Sequence, residues 1–191
     1  MMPFTKGVVV ALIQVLIVCS LGAKLLYDRR TRPQAWFLTQ RYDPNLPIRG
    51  RYLSLQVEVK DPRSAEEVQQ KFATEIQIYK NQRYATFYGF GQECGSIVLR
   101  DGSPVAEFDD SLSYGCDNLS FQRWNGNGQT VLRVMEPVLF FISDTAKDPT
   151  GLPRGDELWV LATIPRKGPP RPIALGIKRA GETNIQRLDL N

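Results

Sequence analysis

The sequence predicts a mainly β protein, with one N-terminal transmembrane helix followed by an antiparallel β-sandwich or open-barrel domain that carries a short helix. Three observations lead there. Gly7 to Tyr27 form an apolar run interrupted only by Gln14, Ser20 and Lys24. Leu53, Leu55, Val57 and Val59 alternate with Tyr52, Ser54, Gln56 and Glu58, the period of a half-buried antiparallel strand. Asp101-Gly102 stands between two apolar runs, where a two-residue hairpin turn is expected.

The apolar run has 21 residues, and as a helix it spans about 31 Å, close to the hydrocarbon core of a bilayer. It predicts an uncleaved membrane anchor over residues 1–32, ahead of a single domain over 33–191. Two alternatives stay open. Ser20-Leu21-Gly22 offers a small-x-small site for a cleaved signal peptide. Lipid on Cys19 is the other, although the bulky Val18 stands where a small residue is expected. A buried core helix is disfavoured because the run has no polar face.

Charge is distributed unevenly. The chain carries 24 basic and 20 acidic residues, a net +4. Lys6, Lys24, Arg29, Arg30 and Arg32 flank the apolar run with only Asp28 against them, so the domain itself is neutral. A nucleic-acid partner is therefore not expected, since phosphate neutralisation needs its cations on the domain. Membrane lipid suits the flanking cations better. Lys24 near the end of the run and the three arginines after it, against Lys6 before it, place the domain in the cytoplasm when counted alone, but long domains translocate against such a count.

Along the domain, Trp36–Gln40 reads as a short extended piece, and Asp43–Gly50 is rich in turn residues. Arg51–Val59 is the clearest strand. Ser64 and Glu67 form an S-x-x-E capping box opening a short helix. Aromatic residues gather at Tyr79, Tyr84, Phe87, Tyr88 and Phe90. Ser96–Phe108 reads as a hairpin, Asn125–Gly128 as a turn, and Thr130–Val134, Pro137–Ile142, Glu157–Ile164 and Ile173–Lys178 as strands. The expected total is six to eight strands with little helix.

The stretch Tyr42 to Val57 resembles the GDYXXLXY proteins, bacterial membrane-anchored proteins named for that motif. Gly50, Tyr52 and Leu55 match it, whereas Arg51 stands in place of Asp and Val57 in place of Tyr. Val131–Ile142, Arg154–Val160 and Arg166–Ile173 are similar to later segments of that family, in the same order. The resemblance implies a domain on the outer face of the cytoplasmic membrane with no established enzyme activity.

Candidate sites are few. The chain has no histidine, which removes imidazole acid–base and nucleophile systems and most zinc sites. Arg49, Gly50, Arg51 and Tyr52 could hold an anion, with two guanidinium forks beside a glycine turn; solvated arginines at a tight strand entry are the blander reading. Asp101, Glu107, Asp109, Asp110 and Asp117 are the densest acidic group, read as a charged loop in preference to a calcium site. Arg166, Lys167 and Arg171 lie among prolines, as a rigid connection or a contact for headgroups or a partner. Cys94 and Cys116, each beside a glycine and so expected in turns, could form a disulfide. Two reduced thiols remain the alternative if the domain faces the cytoplasm. A hairpin centred near residue 102 puts Cys94 opposite about residue 109, so the bridge requires a further loop back.

No cofactor, metal or catalytic constellation is expected. The reading is a non-enzymatic binding or assembly domain at the cytoplasmic membrane, working with another membrane protein. The alternative is an envelope hydrolase using paired carboxylates.

Overall fold

Leu55, Val57 and Val59 on one face of a strand must find an apolar layer, and the sheet obtains one by curling on itself. The computed structural model describes residues 3–43, 51–64, 66–70, 92–109, 116–126, 129–143 and 151–189, with Ala146 and Pro149. The chain divides into two compact units, Met1–Pro33 and Gln34–Asn191.

The first unit is the helix α1, Pro3–Thr31. Its stretch Gly7–Thr31 is long and apolar enough to cross a membrane, a test that a signal sequence also passes. From Gly7 through Leu21 every residue is exposed. Arg29 and Arg30 in the last turn complement the negative end of the helix dipole, and Asp28 pairs with Arg32 at 2.9 Å.

The second unit is an open, curled antiparallel sheet. Its strands are β1 Gln34–Asp43, β2 Arg51–Val59, β3 Gln92–Arg100, β4 Ser103–Phe108, β5 Leu119–Gly126, β6 Gln129–Val134, β7 Val138–Ile142, β8 Glu157–Thr163, β9 Arg171–Lys178 and β10 Gln186–Arg187. The order across the sheet is β10-β9-β8-β1-β2-β6-β5-β3-β4, and β7 also pairs β2. The expected open barrel is thus the observed class, with ten strands among the described residues in place of six to eight.

The far edge of β2 is shared. β7 takes its first half, from Arg51↔Ile142 to Leu55↔Val138. β6 takes its end, Glu58↔Arg133 and Val59↔Leu132. This division produces two unequal halves. In one, β2-β6-β5-β3-β4 curls until β4 meets the chain just beyond β2: Lys60 N donates to Pro104 O at 3.1 Å, and Ala106 N donates to Lys60 O at 3.0 Å. That parallel bridge closes the ring. In the other, β7-β2-β1-β8-β9 stays open. Four antiparallel steps separate β7 from β9, so the two run in the same direction across a gap. β10 enters the gap antiparallel to β9 but covers only Ile177 and Gly176, with one further bond from Leu188 N to Leu175 O at 2.9 Å.

Phe37, Leu55, Val57, Phe121, Leu132, Val134, Val160 and Leu175 are fully buried and form one continuous core. Asp101 and Gly102 both adopt positive φ, 52° and 74°, and join Arg100↔Ser103 as the expected two-residue turn. Gly95 permits a close crossing, since a Cβ there would overlap the Glu107 carbonyl oxygen. Trp36 packs over Gly176, two strands away, filling the space that glycine leaves.

Candidate functional site

The inward face of a strand ordinarily carries apolar side chains, and in the closed half that rule breaks at one mouth of the ring. β3 and β5 pair Glu93↔Phe121, next to Gly95↔Leu119, which puts Glu93 on the same face as buried Leu119 and Phe121. Arg123 follows on that face two residues after Phe121. Asp61 and Arg63 come from the loop leaving β2.

These four side chains form one ionic cluster. Arg63 Nε lies 2.9 Å from Asp61 Oδ1, and its two Nη atoms lie 2.7 and 2.5 Å from the oxygens of Glu93. Arg123 Nη2 lies 2.7 Å from Asp61 Oδ2 and 3.3 Å from Glu93 Oε2. The Arg63 backbone N–H also donates to Asp61 Oδ1. All four are largely buried, with side-chain exposures of 9% for Asp61, 11% for Glu93 and Arg123, and 19% for Arg63. The Arg63 guanidinium stacks on Phe108 at 3.7 Å, and Phe108 meets Phe121 edge-on at 6.0 Å. The cluster therefore seals the core with a neutral, hydrogen-bonded layer.

Its electrostatics hold it ionised. Burial pushes the Asp61 carboxyl upward, but hydrogen bonds from the Arg63 side chain and backbone and from Arg123 outweigh it, leaving Asp61 below its ordinary 3.8. Burial pulls Arg63 down, and the hydrogen bonds to Glu93 and Asp61 more than reverse this, so its pKa is raised. A carboxylate held in this way is a poor proton donor near neutral pH. The arrangement suits a structural seal. Neither spacing nor hydropathy singles out these residues; the one local signal is Arg123-Trp124, where charged and aromatic residues exchange their customary sides of a strand.

Beside the cluster, Cys94 and Cys116 are joined in a disulfide with Cα atoms 5.2 Å apart. Cys94 lies inside β3 and not in a turn, a correction to the expectation drawn from its neighbouring glycine. Gly95 is needed for close strand crossing, not for a bend. The hairpin does place Cys94 against residue 109, through Asp109 N donating to Cys94 O at 2.9 Å. The additional loop back is supplied by β5, which runs along the other edge of β3 with Cys94↔Ser120 and so brings Cys116 near.

The remaining expected site residues are dispersed. Arg49 and Gly50, Asp110 and the aromatic group at 79–90 lie outside the described residues, as does the Arg51 side chain. Tyr52 is half-buried, its ring 6.1 Å from Phe141. Asp101 sits in the β3–β4 turn, Glu107 pairs with Arg100 at 3.6 Å, and Asp109 and Asp117 are exposed. Among the described residues no three acidic or cysteine side chains gather to hold a metal ion. Arg166 and Lys167 are exposed in the β8–β9 loop.

Two surface features belong to the open half. A groove of about 550 Å³ lies between β7 and β9–β10, lined by Phe140, Phe141, Ser143, Leu175, Arg187 and Leu188 among others. On the outward face beside it, Tyr52↔Phe141 and Ser54↔Leu139 are neighbours, with Phe141 73% and Leu139 46% exposed. Comparison of the chain with family models, with curated proteins and with solved structures gives no match.

Proposed function

We propose that the protein is held at the cytoplasmic membrane by α1, with its β domain on the extracytoplasmic side as a non-enzymatic binding or assembly domain for another membrane protein. The observation that carries this reading is the combination of an apolar 25-residue stretch, Gly7–Thr31, with a disulfide in the domain behind it. A stable disulfide belongs to an oxidising compartment. The GDYXXLXY resemblance points to the same side of the membrane. Exposed Leu139 and Phe141, with half-buried Tyr52 against Phe141, offer apolar and aromatic contact chemistry beside a groove. The carboxylates of the ionic cluster are already taken by Arg63 and Arg123, which favours binding over carboxylate hydrolysis.

Carbonate washing of membranes combined with thiol labelling tests this reading. The expected result is a full-length chain in the membrane pellet, with Cys94 and Cys116 labelling only after reduction. Release of a chain with a new N-terminus near Ala23 counts for a cleaved signal peptide. Full labelling of denatured protein without reductant counts against the extracytoplasmic side.

A further inference from the structure

We propose that the β8–β9 loop, residues 164–170, together with Arg171, is a contact surface for anionic lipid headgroups. The inference rests on the membrane-anchor reading and adds a second, electrostatic membrane contact made by the domain itself.

Register supplies the first argument. Gln34, where the chain enters the domain, pairs with Thr163, and Thr163 pairs with Arg171. Thr163 Oγ1 also donates to the Arg171 carbonyl oxygen. The loop between β8 and β9 is therefore at the same end of the sheet as the domain's entry point. Only Arg32 and Pro33 lie between α1 and β1. A chain that leaves the bilayer at α1 has a reach of about 3.5 Å per residue, so two residues hold Gln34 close to the headgroup zone.

Chemistry supplies the second. Arg166 and Lys167 are exposed, and among the described residues neither forms an ion pair. Arg63, Arg123, Arg133 and Lys178 are each matched with a carboxylate, whereas Arg154, Arg179 and Arg187 are, like the loop's cations, exposed without an ion pair among the described residues, so it is position beside the entry strand that distinguishes Arg166 and Lys167. Asp117, exposed next to Asn118, is the acidic residue adjoining the loop's tether. Of the loop's apolar members Ile164 and Pro170 are buried and Pro165 is half-buried, so Pro169 is the one exposed apolar side chain beside the cations and no large apolar wedge stands among them. That surface suits phosphate-bearing headgroups, which guanidinium and ammonium groups bind from outside the hydrocarbon.

Rigidity supplies the third. Gly168 takes φ +85°, and its N–H donates to Asn118 Oδ1 at 2.7 Å. Pro165, Pro169, Pro170 and Pro172 restrict the rest. The cations are presented on a preorganised loop, so little ordering opposes the contact.

The test uses the full chain reconstituted in phosphatidylcholine vesicles with and without phosphatidylglycerol, each carrying a dansyl headgroup probe. Energy transfer from the tryptophans reports how near the domain lies to the bilayer. The expected result is stronger transfer in phosphatidylglycerol vesicles, falling when salt shortens the Debye length from about 10 Å to about 3 Å. Arg166→Gln with Lys167→Gln is expected to shift the docked-to-free ratio by about 25-fold, at roughly fivefold per cation. Arg166→Lys with Lys167→Arg retains the wild-type transfer. Transfer insensitive to phosphatidylglycerol and salt, in a chain that stays in the carbonate pellet, overturns the headgroup contact and leaves the anchor reading standing. Carbonate release from both vesicle types overturns the anchor reading and the headgroup contact with it. If the double glutamine variant keeps wild-type transfer but loses a co-purifying membrane protein, the loop is a protein contact and the proposal fails. A misfolded variant, recognised by a lost disulfide, leaves the salt and lipid dependence of the native chain to decide.

Discussion

Asp61 accepts hydrogen bonds from two arginines at 2.7 to 3.1 Å while its side chain is 9% exposed. Breaking such a buried pair by removing one charge costs about 3 kcal/mol, because the remaining charges keep their desolvation penalty. Asp61→Asn is therefore expected to lower stability by that amount at neutral pH. Its pH dependence has a definite sign. The folded carboxyl lies below its ordinary 3.8, so its stabilisation is fully present above that pH and is lost as pH falls through the depressed value. The denaturation midpoint of the wild type should fall in this acid window more steeply than that of Asp61→Asn. Parallel curves for the two proteins would show that Asp61 does not carry the effect. The sequence hid this cluster for a local reason. Arg123 faces inward and Trp124 is 48% exposed, the reverse of what hydropathy suggests, and the inward charge is tolerated only because Asp61 and Glu93 arrive from distant segments.

The same reversal hid β5, since a strand reading Leu-Ser-Phe-Gln-Arg-Trp-Asn-Gly has no sustained period of two. Elements whose signals are local were legible. The alternation of β2, the Asp101-Gly102 turn and the capping box all read directly from neighbouring residues. In that box Ser64 N donates to Glu67 Oε2 at 2.7 Å and Glu67 N donates to Ser64 Oγ at 3.2 Å. The pairing of β3 with β5 is non-local and had no such signal, although it decides where the cysteines meet. The bridge spans 22 residues, and in the chain-entropy treatment a loop of that size contributes about 3 kcal/mol. Cys94→Ala with Cys116→Ala, or reduction of the native chain, should lower the denaturant midpoint accordingly. Reductant should leave the double variant unchanged. Equal midpoints for oxidised and reduced native chain would mean that β3-β5 pairing alone holds the segment.

At the scale of the whole domain, the division of β2's edge between β6 and β7 gives the two halves different cohesion. The closed ring has the Lys60–Val105 bridge, the ionic seal and the disulfide. The open half has β7, which among the described residues is paired along one edge only, and a two-residue β10. An unpaired strand edge is a template for another chain, and stable proteins normally cover or charge it. Here Phe141 and Leu139 stand exposed beside it, the surface that the proposed binding role would use. Local opening follows the same division, because amides with few buried neighbours exchange through low-energy fluctuations. Hydrogen exchange of the full chain in detergent or nanodiscs should find Val57, Phe121 and Leu132 opening only with global unfolding. Gln186, Arg187 and Leu188 should exchange at least about 100-fold faster. Because β7 and β9 run in the same direction, β10 lies antiparallel to β9 in the gap between them over two residues only. Equal protection across both halves would show that the closed ring and the open half do not differ in cohesion.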